Sequence, residues 1–134
     1  MTTLLPTRSC FNDAIEYLEW LGREAIATAN RALIDRPDLL LVHAIVDPIG
    51  SDVGRHAHAW VEDGAEIVQA AILDGQKVSV RFDRAEYEAQ ARIEVCTKYT
   101  MREVVDENRK HGTYGPWRDE YLALCADAPE RAAC

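Results

Sequence analysis

The sequence is short of positive charge. It has 15 Lys and Arg against 23 Asp and Glu, which gives a formal charge of −8 over 134 residues. A nucleic-acid groove needs clustered Lys and Arg, so we expect no nucleic-acid partner. Long apolar runs are also missing, both for a membrane span and for a signal peptide within residues 1–9. These absences predict a cytoplasmic protein without a membrane partner.

C-x-x-C spacing is absent as well. None of the four cysteines (Cys10, Cys96, Cys125 and Cys134) is placed as a zinc ribbon or a redox dithiol requires. Without an export signal we expect reduced thiols, although an even count allows two disulfides in a secreted form.

What remains is the composition of a folded protein. Hydrophobic residues make up 48% of the chain and charged residues 28%, which is typical of globular proteins. A chain of this length suits one domain, which we predict to span residues 1–134.

The N-terminal third indicates an amphipathic helix. Ser9 is a good N-cap that would place Cys10 at the first helical position, and Gly22 is a possible break. Pro37 limits the far end, because the residue before a proline disfavours helix. Apolar residues at helical spacing form one stripe: Phe11, Ala14, Ile15, Leu18, Leu21, Ala25, Ile26, Ala29 and Leu33.

Strand patterns follow this helix. Residues 39–46 are continuously apolar, which is typical of a strand covered on both faces. Residues 56–62 alternate between a small apolar face and a polar, aromatic face, and residues 77–82 alternate again after an Asp74-Gly75 turn.

The C-terminal part indicates further helices. Capping-box patterns stand at residues 83–86 and 100–103, and Pro116 fits the first turn of a last helix. Helix, small antiparallel sheet and further helices together predict an α+β fold.

The turn after the second strand predicts a register. If residues 63–64 form a two-residue loop, His58 lies opposite Gln69. The amide oxygen of Gln69 would then hold the imidazole in one tautomer. A longer loop would instead bring Asp74 or Asp63 to the histidine.

A thiol and an imidazole in this arrangement suit acyl transfer. At a helix N-terminus, unpaired backbone N–H groups favour the thiolate of Cys10 and can also hold an oxyanion. His58 would act as the general base, with Trp60 shielding the pair from water. Another interpretation is that Cys10 is a small core residue.

Residues 58–62 read HAWVE, with Cys10 upstream. On these features, residues 10–71 resemble the transglutaminase-like branch of the papain-type cysteine enzymes. Lasso-peptide leader peptidases share the pentapeptide, and flanking segments resemble small phage and bacterial proteins. The resemblance implies a papain-like core, Cys10 as nucleophile, His58 as general base, a protein or peptide substrate, and no cofactor or metal. Gln69 stands where the family has Asp.

The predicted function is therefore thiol-dependent amide hydrolysis, as a cysteine peptidase or glutamine deamidase. Two alternatives remain. His56, His58 and Glu62 share one strand face and fit the first metal motif of the cupins, whose ligands suit iron, manganese or zinc. The chain could also be a catalytically inactive interaction protein on the same fold, which Gln69 in place of Asp favours.

Overall fold

The computed structural model describes residues 4–6, 10–50, 52–74 and 76–127; for residues 4–6, 70–73, 77 and 125–127 it describes the backbone alone. The strands are β1 (Leu4–Pro6), β2 (Leu39–Val46), β3 (His56–Asp63), β4 (Glu66–Leu73), β5 (Gln76–Asp83) and β6 (Ile93–Thr100). The helices are α1 (Cys10–Ala27), α2 (Arg84–Ala91), α3 (Met101–His111) and α4 (Asp119–Asp127), with a short 3-10 helix at Arg31–Leu33. The predicted α+β class is confirmed.

Helix α1 begins at Cys10, as the sequence predicts, and the predicted cap Ser9 lies outside the described residues. The helix is not divided at Gly22. An interior glycine costs only about 1 kcal/mol, and apolar residues on both sides of it are buried. In the described ranges, no helix has both the length and the apolarity needed to cross a membrane.

All six strands belong to one antiparallel sheet, in which β2 pairs with β3 on one side and β6 on the other. β4 pairs with β5 along residues 66–73. β3 pairs with β4 only through residues 61–63, and β1 pairs with residues 71–73 of β4. Residues 56–60 of β3 therefore diverge from β4, and the candidate site lies at this divergence.

The sheet is covered on both faces. One face, here called the α1 face, carries Leu41, Ala59 and Val68 and packs against α1, with α3 and α4 beside it. The other, the α2 face, carries Trp60 and packs against α2 through Ala91. Every residue of β2 except one is buried, which confirms the predicted two-sided coverage of residues 39–46.

The hairpin between β3 and β4 differs from the predicted register. Asp63 pairs with Glu66, so the loop is Gly64-Ala65 rather than residues 63–64. Gly64 accommodates the turn because its φ is +63°, a value that few other residues adopt readily. The cross-strand pairs move by two residues. A shift of two leaves every side chain on its predicted face, because side chains alternate with a period of two.

The predicted starts of α2 and α3 are confirmed. The Asp83 side chain accepts from the Glu86 amide, and Thr100 and Glu103 form a complete capping box. The predicted place of Pro116 is wrong. α4 begins only at Asp119, since the preceding loop folds back on the core: Trp117 is 6% exposed, and its Nε1 donates to a loop carbonyl.

The capping box gives a stability prediction. We expect Thr100→Ala to lower the free energy of unfolding by about 1 kcal/mol, because the side-chain acceptor for the Glu103 amide is lost. Urea unfolding followed by circular dichroism measures the change. Thr28→Ala is the control, since that exposed hydroxyl, just beyond the end of α1, only donates to the Glu24 carbonyl, and its effect should stay within about 0.5 kcal/mol. Equal losses of unfolding free energy in both variants would contradict a stabilising role for the capping box.

Candidate functional site

His58 lies on the α2 face of β3 and is only 7% exposed. Its Nε2 is 3.4 Å from Oε1 of Gln69, and the Tyr87 hydroxyl donates to the same oxygen at 2.7 Å. The rings of Trp60 and His56 flank the imidazole, with centroids at 5.6 and 5.7 Å. The predicted contact between His58 and Gln69 is therefore present, although the shifted register makes it diagonal.

This contact fixes the protonation of the ring. An amide oxygen only accepts hydrogen bonds, so the neutral His58 carries its proton on Nε2. The Nδ1 lone pair is buried and has no hydrogen-bond partner among the described residues.

The surroundings of His58 also remove its charge. The pKa of His58 is lowered to about 4, chiefly by burial and also by the neighbouring His56, while the hydrogen bond with Gln69 opposes the change. Since a general base works best with a pKa near the operating pH, the imidazole is poorly suited to that role at neutral pH.

Cys10 lies in the apolar core on the α1 face. It is 7% exposed and belongs to a cluster that includes Phe11, Ala57 and Ala59. Its sulfur is disulfide-bonded, to a partner outside the described side chains, so it is not the reduced thiol that the sequence led us to expect.

The structure does not bring the predicted nucleophile and base together. Cys10 packs against the face that carries Ala57 and Ala59, whereas His58 projects from the other face. Successive side chains of a strand point to opposite faces, so Cys10 and His58 are associated with different faces of β3.

Access to Cys10 is equally restricted. The void beside it holds about 10 Å³, enough for roughly one water molecule and too small for a peptide amide. Its lining is Cys10, Asp13, Ala14 and Tyr17 from α1, with Ala59, Trp60, Val68 and Gln69 from the sheet.

The supporting residues are scattered. Trp60 is 1% exposed; its ring lies against the His58 imidazole, and the residue also lines the void beside Cys10. Asp74 lies in the exposed turn between β4 and β5. It stands five residues beyond Gln69, roughly 17 Å along the strand, and so does not reach His58.

The three residues of the cupin-like alternative are not brought to one point either. His58 and Glu62 are four residues apart on one strand, roughly 13 Å, which exceeds the reach of a single ion. Glu62 instead binds Lys98, with Nζ to Oε1 at 2.8 Å, and His56 Nδ1 faces a backbone carbonyl. Within the described ranges, no group of three His, Cys, Asp or Glu side chains is placed to hold a metal.

A second buried histidine is His43, on the α1 face of β2. It is fully buried, neither ring nitrogen has a hydrogen-bond partner among the described residues, and burial lowers its pKa to about 3. A Cβ on Gly115 would come within 2.9 Å of its ring. The apolar strand pattern indicated burial, but the surrounding rings come from distant segments: Phe11, Tyr99, Trp117 and Tyr121.

The outer side of α1 carries a feature that the sequence pattern did not reveal. A groove of about 340 Å³ runs between this helix and β5. Its lining is Asp13, Glu16, Tyr17, Trp20 and Arg23 from α1, with Val78 and Ser79 from β5. The available signal was Trp20, a large aromatic residue off the buried stripe.

The chain matches no family model, and its comparison with curated proteins and with solved structures gave no match. The resemblance of residues 10–71 to the transglutaminase-like enzymes, and the papain-like core that it implies, stay predictions.

The two buried histidines predict acid sensitivity. Both folded-state pKa values, about 3 for His43 and about 4 for His58, lie below the ordinary value, so the unfolded chain binds more protons. The contribution of the two neutral histidines to the free energy of unfolding is fully present above about pH 6.5. It falls as the pH drops toward 4, by about 1.4 kcal/mol per pH unit for each histidine. Urea unfolding between pH 7 and 5 measures this slope. His58→Gln should remove about half of it, and an unchanged slope would contradict the neutral buried ring.

Thiol labelling tests the separation of Cys10 from His58. In the native protein, iodoacetamide should modify the exposed Cys96 and leave Cys10 unlabelled. After mild reduction, Cys10 should react slowly and at the same rate in wild type and in His58→Gln, because the imidazole lies on the other face. Peptide mapping by mass spectrometry measures both rates. Rapid labelling of Cys10 that slows in the variant would instead support a coupled thiol–imidazole pair.

Proposed function

We propose that this chain is a non-catalytic interaction protein whose α1 groove binds a peptide segment carrying a basic and an apolar side chain. The observation that carries the proposal is Trp20, which is 47% exposed, whereas Trp60 and Trp117 are 1% and 6% exposed. Tryptophan is enriched at binding surfaces because it supplies a large apolar area at a low entropic cost.

Trp20 belongs to an aromatic pair in the groove. Its ring centroid is 5.9 Å from that of Tyr17, and the planes are inclined by 35°. Tyr17 is held in place by Arg81, whose guanidinium donates to its hydroxyl at 3.0 Å. With Val78 alongside, the pair forms an apolar floor for one side chain of a partner.

The charges around the groove select a cation. The groove lining includes two acidic residues, Asp13 and Glu16, and one basic residue, Arg23. Helix α1 as a whole has four acidic side chains and one basic side chain. A Lys or Arg beside the indole gains a cation–π contact as well as an ion pair with Glu16, whereas Asp13, at 7% exposed, contributes its charge from beneath the surface. The formal charge of −8 further favours a basic partner by attracting it at long range.

A second groove, of about 450 Å³, separates α1 from α3. Glu19 and Arg109 both line it, so its charges are mixed and select no occupant. The proposal therefore concerns only the groove between α1 and β5.

A fluorescence titration tests the binding. The probe is a short synthetic peptide of alternating arginine and leucine, compared with the same peptide carrying glutamate for arginine, in 0.15 M salt, where the Debye length is about 8 Å. We expect only the arginine peptide, and not the glutamate peptide, to change the tryptophan emission of the protein. Trp20→Ala should weaken binding about tenfold, which is about 1.4 kcal/mol.

A pair of charge variants supplies the control. Glu16→Lys and Glu120→Lys change the net charge equally, but Glu120 lies on α4, outside the groove lining. Only Glu16→Lys should weaken binding strongly, as measured by calorimetry with the same peptide. Equal losses of affinity in the two variants would mean that only the overall charge matters, and would contradict binding in the groove. An unchanged affinity in Trp20→Ala would contradict it as well.

A further inference from the structure

We propose that the peptide in the α1 groove binds as an extended strand that adds to the outer edge of β5, the edge that faces away from β4. Its basic side chains face α1, and its apolar side chains face the opposite side of the sheet. This binding mode rests on the proposed function, since it concerns the same groove and the same occupant.

β5 is a terminal strand of the sheet. It pairs with one side of β4, whereas β3 and β1 share the other side of β4. Among the described residues, β5 forms backbone pairs with β4 alone. This pairing runs from Gln76 to Asp83 without a register shift, so the outer edge offers a regular row of backbone donors and acceptors to an added strand.

The backbone groups at the outer edge belong to alternate residues of β5. The Arg84 amide donates to the Ala65 carbonyl, and hydrogen-bonded pairs alternate with non-bonded pairs along an antiparallel ladder. Counted from this bond, the even-numbered residues of β5 are the ones that bond to β4. The amides and carbonyls of Ser79 and Arg81 therefore point to the outer edge.

The α1 groove reaches this edge. Its lining includes Val78 and Ser79, and consecutive side chains of a strand point to opposite faces. Ser79 is on the α1 face together with Arg81, which contacts Tyr17 of α1, so Val78 is on the α2 face. A groove that is lined from both faces extends around the edge of β5, where an added strand would lie.

The two faces beside this edge differ in polarity. On the α2 face, Val78, Val80 and Phe82 are apolar and only partly buried, so apolar residues of an added strand would gain by covering them. On the α1 face, the groove presents Glu16 and the exposed ring of Trp20, which suit basic residues. Side chains of an extended peptide alternate between faces, so a peptide that alternates basic and apolar residues matches both.

Arg81 does not oppose a basic strand at this position. Its Nη1 lies 3.1 Å from Asp63 and 3.2 Å from Glu66, which belong to β3 and β4. These carboxylates hold the guanidinium inward over the sheet and compensate its charge. The outer edge beyond Arg81 stays open to a cationic partner.

N-methylated peptides test the added strand. In an extended peptide, the amides of alternate residues would face β5. Two versions of the arginine–leucine peptide are compared, one N-methylated at every arginine and the other at every leucine. Only one of them should lose affinity, by about tenfold or more, because its methyl groups replace the donors at the interface. The sensitive set is that of the arginines for an antiparallel strand and that of the leucines for a parallel one.

A proline in β5 tests the same contact from the side of the protein. Ser79→Pro removes an outward amide without removing a bond to β4, a change that edge strands tolerate. It should weaken binding of the unmodified peptide about tenfold. Ser79→Ala is the matched control, because it keeps the amide and should bind as wild type does. Circular dichroism checks that both variants fold, and the methylated peptides decide the question if Ser79→Pro does not.

The outcomes separate this binding mode from the proposed function. Equal affinities of the two methylated peptides would overturn the added strand, as would equal affinities of Ser79→Pro and Ser79→Ala. If Trp20→Ala still weakens binding in that case, the groove remains the binding site and only the strand is excluded. Failure of the unmodified peptide to bind would overturn both.

Discussion

The alternation of side chains along β3 is the constraint on which the rest of this structure depends. Helix α1 covers one face of the sheet and α2 the other, so each buried residue of β3 belongs to one of two separate cores. Ala57, Ala59 and Val61 serve the first core, and Trp60 serves the second. A strand covered on both sides is stable because it buries almost all of its apolar surface. It also separates the chemical groups on its two faces.

The same two-sided coverage determines the state of the histidines. His43 and His58 lie on opposite faces, and both are removed from water. An isolated imidazolium is costly in such surroundings, so both rings are neutral. Gln69 Oε1, which also accepts from the Tyr87 hydroxyl, satisfies one nitrogen of His58, whereas neither ring nitrogen of His43 has a hydrogen-bond partner among the described residues. These side chains therefore contribute to packing at neutral pH and oppose folding in acid.

The chemically reactive side chains of the sequence motif are buried, and the accessible side chains lie elsewhere. The sulfur of Cys10 and the lone pair of His58 are both inaccessible, while Trp20, Val95 and Cys96 are open to solvent. Trp20 lies on α1, whereas Val95 and Cys96 lie on β6 at one end of the sheet.

The sequence by itself determined the local features. The apolar run of β2 and the capping box at Thr100 depend on neighbours within a few residues, and both were predicted correctly. The buried stripe of α1 was predicted correctly only as far as Ala25, because the helix ends at Ala27 and Ile26 is 83% exposed. The face shared by His58 and Gln69 was also predictable, because an error of two residues in register preserves the alternation. The sequence distinguished a small apolar face of β3 that suits packing, but only the tertiary structure decided that α1 is the element that covers it. The element that covers each face depends on how β2, β3 and β4 pack together. That packing decides whether Cys10 and His58 lie on the same face of the sheet.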